Sequence, residues 1–196
     1  MKGANMTLLF ATGNIDKLKQ VELMIDNLKS PRDFDLEDID VVEDGKNLKE
    51  NAYKKAKTYF DLTKVPTISD DTGLFVEALE NRPGIYAHRY AGENATYKDN
   101  RDKLLSELKD KDNRNAYFKT IVCYIDADGK DYYFEGILEG TITKEEIGQY
   151  EFGYDQIFLP KESDLTLGQM TKKEINQISH RSKAIESFVK FYKEHI

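Results

Sequence analysis

Apolar positions in the first third of the chain recur with the periods of strands and helices. The apolar run at residues 7–11 predicts a buried strand, and Thr12-Gly13-Asn14 predicts a turn after it. Apolar residues then recur at helical spacing over residues 15–28, which predicts a helix. A weaker strand is predicted over residues 34–42 and a second helix over about 48–60. The chain therefore opens with a strand, a glycine turn and a helix.

The middle of the chain alternates short apolar segments with turn signals. Residues 65–69 predict a short strand that ends at Asp70-Asp71, and residues 74–78 form a separate apolar segment. Thr96 and Asp99 have the spacing of a capping box, which predicts a helix start.

Two aromatic and β-branched runs, at residues 116–126 and 131–139, flank Asp126-Ala127-Asp128-Gly129, which predicts a hairpin. A last helix is predicted from about residue 179, with these residues facing the core: Ala184, Ile185, Phe188, Val189 and Tyr192. Helical crossovers and a hairpin in one chain indicate an α/β fold with a mixed sheet.

Composition limits the class of protein. The 196 residues predict a single domain over 1–196, and 39% hydrophobic residues are enough for a core. A net charge of -7 disfavours a nucleic-acid surface, although an anionic small molecule remains possible with a local cationic pocket or a metal. The single cysteine, Cys123, is expected to be a buried strand residue. No run approaches a membrane span, so a soluble cytoplasmic protein is expected.

Two polar constellations in the first half suggest phosphate and metal chemistry. The segment Thr12–Lys17 joins a strand to a helix N-terminus, where exposed N–H groups and a lysine favour phosphate. It is not a Walker A motif, and an ordinary turn with Asn14 as helix cap is the alternative. Asp70 and Asp71 place two carboxylates together, which suits Mg²⁺. A solvated acidic turn is the alternative, and Glu43 is a possible further ligand.

Two constellations in the last third suggest recognition of a base. Phe152 beside Gly153 can offer an open aromatic face, and Asp155 can accept hydrogen bonds from ring N–H groups. Ser179-His180-Arg181 at a helix start would donate to an oxygen. The alternatives are a core-packing aromatic in a loop and a capped helix with a solvated arginine.

Taken in order, these segments resemble the Ham1/inosine triphosphate pyrophosphatase family over essentially the whole chain. The matching segments are Ala11-Thr12-Gly13-Asn14 with Lys17, Glu50-Asn51-Ala52 with Lys55-Ala56, Ser69-Asp70-Asp71-Thr72-Gly73-Leu74, Pro83-Gly84-Ile85-Tyr86, Arg89-Tyr90-Ala91-Gly92, Phe152-Gly153-Tyr154-Asp155, Met170-Thr171 and Ser179-His180-Arg181. The resemblance implies an elongated mixed β-sheet flanked by helices, two lobes around a central cleft, and a homodimer. It also implies Mg²⁺-dependent cleavage of inosine, xanthosine and deoxyinosine triphosphates to the monophosphate and pyrophosphate.

The resemblance also assigns roles by position. The triphosphate would be held by Thr12, Asn14, Lys17 and Lys55. Mg²⁺ would be bound by Glu43 and Asp71, with Asp70 or Asp71 activating the attacking water. Phe152 would stack on the base, whose edge would be read by Asp155, His180 and Arg181.

Three positions depart from the family pattern. Ile175 stands where the family usually has lysine, Gln156 replaces a proline, and Ala87-His88 replaces Ser-Ala. Lys172, three residues before Ile175, is expected to compensate in part for the missing charge. The departures bear on affinity and base selectivity more than on the type of reaction.

Other functions stay open at this point. One is a related nucleotide pyrophosphatase with another base preference, such as a modified pyrimidine. Another is a catalytically weakened nucleotide-binding protein, which the loss of lysine at Ile175 makes conceivable. An RNA-binding module would need a basic face that the composition does not provide.

Overall fold

A computed structural model describes residues 6–195 and confirms an α/β fold. Its strands are β1 (Leu8–Phe10), β2 (Leu28–Lys29), β3 (Thr67–Val76), β4 (Arg82–Gly84), β5 (Asn115–Ile125), β6 (Asp131–Ile142) and β7 (Phe158–Pro160). Its α-helices are α1 (Ile15–Glu22), α2 (Leu48–Thr63), α3 (Tyr97–Glu107), α4 (Lys172–Ile178) and α5 (His180–His195). Short 3₁₀ turns occur between these elements, including Pro31–Phe34 and Asp155–Ile157.

The strands form one mixed sheet in the order β2-β1-β3-β5-β6-β7, with β4 paired to β3. β1 runs parallel to both β2 and β3, whereas β3 with β4 and β6 with β7 are antiparallel. The chain divides into two compact units that interleave in sequence. The first contains the residues up to Asp71, Thr120–Glu135 and the segment from Lys183, and the second contains Thr72–Lys119 and Gly136–Ser182. The single-domain assignment stays a prediction.

In the first unit both faces of the sheet are covered, because successive strand residues point to opposite sides. Leu8 and Phe10 pack in a cluster with residues of α1 and α5, including Phe188. Leu9 between them packs with Tyr59 of α2 on the other face. This alternation decides which helix each functional side chain of the strands meets.

The second unit has a separate core. Its buried residues come from the second half of β3, from α3, from the beginning of β5 and the second half of β6, and from the segment 154–167. Phe118 and Phe158 pack ring against ring within it, with centroids 4.6 Å apart. This core supports the loop that carries the aromatic motif of residues 152–155.

Three sequence predictions of secondary structure were wrong. The first helix ends at Glu22, and residue 28 belongs to β2, because Asn27 takes a left-handed conformation (φ 58°) that returns the chain alongside β1. The strand predicted over residues 34–42 is absent, since a 3₁₀ turn and irregular chain occupy residues 31–42. Residues 65–69 and 74–78 are not separate elements, because β3 is one continuous strand from Thr67 to Val76.

Other local predictions are confirmed. Thr96 and Asp99 form the reciprocal capping box of α3. β5 and β6 form the predicted hairpin, whose turn is closed by Asp126 and Lys130. Cys123 is a free, buried strand residue, and burial raises the pKa of its thiol to about 12. No helix within residues 6–195 is long and apolar enough to cross a bilayer.

Candidate active site

The two neighbouring aspartates lie inside β3 rather than at the end of a strand as the sequence had suggested. Because strand residues alternate between faces, Asp70 and Asp71 point to opposite sides of the sheet. Asp70 shares its side with Ile68 and meets α1, while Asp71 shares its side with Ser69, whose hydroxyl donates to the Ala52 carbonyl of α2. A single strand thus presents one carboxylate to each of two helices.

Asp70 forms a charged pair with Lys17 of α1. The Lys17 Nζ lies 2.9 Å from Oδ2 and 3.1 Å from Oδ1 of Asp70, whose side chain is only 2% exposed. Both carboxylate oxygens therefore accept from the lysine. A carboxylate so buried needs this compensation, since an unpaired buried charge is very costly.

In the turn before α1, Asn14 is the helix cap, which is the alternative that the sequence analysis left open for this segment. The Asn14 Oδ1 accepts from the backbone N–H groups of Asp16 and Lys17, at 2.9 and 3.2 Å. The Asn14 N–H in turn donates to the Thr12 hydroxyl at 3.1 Å. These bonds give the turn a fixed shape and direct the first turn of α1, with Lys17, toward β3.

Lys55 of α2 lies among oxygen atoms of Asp70, Glu43 and Asp71. Its Nζ lies 2.5 Å from the Asp70 carbonyl oxygen, 2.7 Å from Glu43 Oε1 and 4.0 Å from Asp71 Oδ1. Burial by itself would lower the pKa of Lys55, but the negative charges of Asp70, Asp71 and Glu43 raise it above its usual value. Lys55 is therefore a firmly protonated cation among oxygen atoms.

Asp71 differs from Asp70 in having an unused oxygen. Its Oδ2 is buried and has no hydrogen-bond partner. Burial raises the pKa of Asp71 to about 6 against the opposing charge of Lys55, and the Asn51 amide stabilises the ionised form. A buried carboxylate oxygen without a donor is rare unless an ion, a water or a substrate group occupies that position.

The acidic groups of this region suit a magnesium ion whose remaining ligands come from a substrate. Within residues 6–195 no three His, Cys, Asp or Glu side chains cluster as a metal cage. Mg²⁺ commonly takes one or two carboxylates and substrate phosphates for its other ligands, together with water. Glu43 and the unpartnered oxygen of Asp71 form such an incomplete set, so the residues present fit this metal.

In the second unit Phe152 lies on the surface rather than in the core. The residue is 39% exposed, and its ring meets the Tyr97 ring edge-on at 5.3 Å and the Tyr150 ring in a stacked arrangement at 6.3 Å. The next residue, Gly153, has φ 51° and open space at its Cβ position. Phe152 therefore has the exposed face that stacking on a base requires.

The three other base-reading candidates are Asp155, His180 and Arg181, all of the second unit. Asp155 is 8% exposed, and burial raises its pKa to about 7 against the positive charges of Arg181 and Arg101. His180 is buried and stacks on Phe118 with centroids 4.8 Å apart. The structure thus brings Asp155 near the charge of Arg181, while the ring of His180 is part of an aromatic stack.

Comparison with known proteins decides the relationship. The sequence profile described as "Ham1 family" matches residues 8–191. The chain belongs to the Ham1 family. It is 40% identical to the dITP/XTP pyrophosphatase of Flavobacterium psychrophilum, over 96% of this chain and 100% of that protein. It is 39% identical to the dITP/XTP pyrophosphatase of Geobacter sulfurreducens, over 91% of this chain and 92% of that protein.

Solved structures of Ham1 proteins have the same fold. The Staphylococcus aureus Ham1 protein superposes with a TM-score of 0.90 at 32% identity, covering 97% of this chain and 100% of that one. The Coxiella burnetii HAM1 protein superposes with a TM-score of 0.89 at 31% identity, covering 96% and 99%. The seven-stranded mixed sheet with flanking helices is therefore the fold of the family.

The departures from the Ham1 pattern are structural as well as chemical. Ile175 on α4 packs against the core of the second unit, so this position supports the core where a lysine would bring a charge. Gln156 is buried, and its Nε2 donates to the Gly148 carbonyl at 2.7 Å. Ala87 is buried and its carbonyl accepts from the Tyr154 hydroxyl at 2.6 Å. His88 is exposed and meets the Tyr97 ring edge-on.

Sequence reasoning missed two residues that shape this Ham1 protein. Asn51 accepts from the Gly45 N–H at 2.8 Å and hydrogen-bonds Asp71, so it links the loop after Glu43 to β3. Arg101 is buried beneath the loop of Phe152. The Glu50-Asn51-Ala52 motif was a usable signal for Asn51, but nothing in the sequence around Arg101 distinguishes it from a surface cation.

Proposed function

We propose that this chain hydrolyses dITP, XTP and ITP to the nucleoside monophosphate and pyrophosphate, and so removes non-standard purine nucleotides from the precursor pool. The observation that carries the proposal is the charge arrangement on β3, where Lys17 and Lys55 flank two aspartates and Asp71 retains a bare buried oxygen. The near full-length identity to dITP/XTP pyrophosphatases supports the same substrates.

The first unit supplies the groups that phosphoryl transfer requires. Such reactions depend on alignment and on neutralising the charge of the phosphates more than on a special nucleophile. Lys17 and Lys55 are the donors we assign to the triphosphate, with the turn at Thr12 and Asn14 holding α1 in place. Both lysines are held by acidic partners, so their ammonium groups are positioned before the substrate arrives.

Magnesium dependence is part of the proposal. Glu43 and Asp71 would hold the ion, which when bound neutralises phosphate charge and lowers the pKa of the attacking water. We assign acceptance of the water's proton to Asp71 rather than Asp70. Both oxygens of Asp70 accept from Lys17, whereas Asp71 offers Oδ2 to the ion and keeps Oδ1, which lies 4.0 Å from the Lys55 Nζ, for the water.

The second unit supplies the residues that we assign to the purine. Phe152 offers a stacking face, and Asp155, His180 and Arg181 are assigned to the edge of the ring. Hypoxanthine and xanthine carry an acceptor oxygen at ring position six, whereas adenine carries a donor amine there. Arg181 as donor favours the oxygen, and an unpaired donor against adenine costs about 1–3 kcal/mol.

A panel assay tests the function. The protein is incubated with Mg²⁺ and separately with ITP, dITP, XTP, ATP, GTP and dUTP, and pyrophosphate and orthophosphate are measured. We expect pyrophosphate from the first three at a far higher kcat/KM than from the others. Release of orthophosphate would indicate a phosphatase instead. Preference for dUTP would indicate a pyrimidine-directed pyrophosphatase, and binding without any product a nucleotide-binding protein.

Asp71→Asn is the matched variant for the assay. It should lower kcat by at least about 100-fold, the lower range for losing general-base catalysis. Asp112→Asn, at an exposed position, serves as the control and should keep full activity. Near-normal turnover in folded Asp71→Asn would remove this residue from the mechanism.

Two further expectations belong to the same proposal. A pool-cleaning enzyme acts where nucleic acids are synthesised, and we propose a cytoplasmic location on that ground. A homodimer is proposed from the family resemblance. Sedimentation at several protein concentrations checks the dimer, and a monomer at all of them would contradict it.

A further inference from the structure

Arg101 of α3 is a charged side chain buried within the second unit. It is 2% exposed, although arginine is among the residues least often buried without specific partners. A guanidinium removed from water needs its N–H groups satisfied, since an unpaired buried charge is strongly destabilising. The partners of Arg101 therefore indicate what its burial achieves.

Those partners belong mainly to the loop that carries Phe152. The Arg101 Nη1 donates to the Gly153 carbonyl at 2.8 Å and to the Glu151 carbonyl at 3.1 Å. Its Nε donates to Glu146 Oε1 at 3.3 Å, which balances the charge. A single nitrogen thus holds the backbone on both sides of Phe152.

The same helix also fixes the ring of Phe152. Tyr97 lies one turn before Arg101 on α3, and its ring meets the Phe152 ring edge-on at 5.3 Å. Gly153 by contrast has open space around it and φ 51°, so it adds no side-chain packing to the loop. Arg101 and Tyr97 therefore hold an aromatic ring that is partly exposed.

We propose that Arg101 is a positioning residue for base recognition: by clamping the carbonyls of Glu151 and Gly153 it holds the face of Phe152 ready for a purine. It acts through Phe152 and not by contact with the nucleotide. The inference rests on the proposed function, because it assumes that Phe152 stacks on the base. A prepositioned ring binds better than a mobile one, since binding does not have to order it.

Direct calorimetric binding of two ligands isolates this role. IMP carries the base, whereas magnesium pyrophosphate lacks it. Loss of stacking weakens binding by about 5–150-fold. Partial loss through a looser loop should raise the Kd of IMP for Arg101→Met by about 10-fold, within that range. The Kd of pyrophosphate should stay within about twofold of wild type, because no base contact is involved.

Arg114 provides a matched control in the same unit. It donates to three backbone carbonyls, those of Leu108, Ile142 and Thr143, at 2.6–2.8 Å. None of these belongs to the Phe152 loop. Arg114→Met should lower stability without changing the ratio of the two Kd values, whereas Arg101→Met should change that ratio.

A double-mutant cycle with Phe152→Ala tests whether Arg101 acts through the ring. If it does, Arg101→Met should add almost nothing to the loss of IMP affinity already caused by Phe152→Ala. Additive losses, or equal losses for IMP and pyrophosphate, would overturn the inference. If Arg101→Met does not fold, Arg101→Lys keeps the charge but not the fork, and should raise only the Kd of IMP by about threefold.

Failure of this inference is distinguishable from failure of the proposed function. If wild type binds IMP and releases pyrophosphate from ITP but Arg101→Met behaves like Arg114→Met, only the inference is wrong. If wild type releases no pyrophosphate from any purine triphosphate, the proposed function is wrong, and the inference falls with it.

Discussion

Asp155 should make the stability of this protein fall as the pH rises through the neutral range. Burial raises the pKa of this carboxyl from 3.8 to about 7, with Arg181 and Arg101 opposing the rise. The folded state therefore binds a proton that the unfolded chain has already released. Stability from this group is complete below the unfolded pKa and is lost as the pH rises through the folded pKa.

The magnitude follows from the size of the shift. A rise of about three units corresponds to about 4 kcal/mol between the two extremes of pH. Between about pH 5 and pH 8, wild type should lose about 2–3 kcal/mol through Asp155. That is a large share of the about 5–15 kcal/mol by which a typical domain is stable.

Asp155→Asn removes the titration while keeping the shape of the side chain. Urea unfolding of wild type and variant at a series of pH values gives the difference in free energy of unfolding, in which all other titrating groups cancel. The variant should gain on wild type by about 2–3 kcal/mol as the pH rises from about 5 to 8. Asp112→Asn, at an exposed position, serves as the control for removing one carboxylate.

A difference between wild type and Asp155→Asn that stays constant with pH would refute the reasoning, because it would mean that Asp155 titrates alike in the folded and unfolded states. A difference of the opposite sign would mean that the two arginines outweigh burial and keep the carboxylate ionised. In either case Asp155 would be a permanent anion for base recognition and not a buried, titrating group.

Three further predictions follow from the site. Lys17→Met should destabilise the fold by about 3 kcal/mol in urea unfolding, because the buried Asp70 loses the ammonium group that donates to both of its carboxylate oxygens. Adding Asp70→Asn should recover part of the loss, and a silent Lys17→Met would contradict the pairing. Phe152→Ala should weaken IMP binding by about 1–3 kcal/mol in calorimetry yet barely change stability, since the ring is exposed; unchanged affinity would exclude stacking. Ile175→Lys should cost about 1–2 kcal/mol of stability through lost packing. If Lys172 compensates for the family lysine, Lys172→Ala should raise KM for ITP, and adding Ile175→Lys should lower that KM again. An unchanged KM in Lys172→Ala would refute compensation.

The sequence alone determined the features that depend on neighbours in the chain. The capping box at Thr96 and Asp99, the hairpin of β5 and β6 and the buried face of α5 follow from short-range spacing, because hydrogen bonds and faces repeat within a few residues. The order of the motifs also gave the family, which the profile match confirms.

The tertiary structure decided what a local pattern leaves ambiguous. The apolar residues at 24–28 have helical spacing. The chain nevertheless turns after α1, and Leu28 begins a strand that pairs with β1. β3 continues through two aspartates because Lys17 and Lys55 arrive from distant helices to balance the charge. The sequence does not show those partners, and two adjacent aspartates therefore predict the end of a strand.

Arg101 shows the same limit at the site. In the sequence it is one of several charged residues on α3. Its acceptors, the Glu146 carboxylate and the carbonyls of Glu151 and Gly153, lie 45 to 52 residues later in the chain. A charge can be buried without a large cost in stability only when the fold brings its partners to it. The sequence thus determined which residue types were available for chemistry, and the tertiary structure decided which charges are buried and what each of them holds in place.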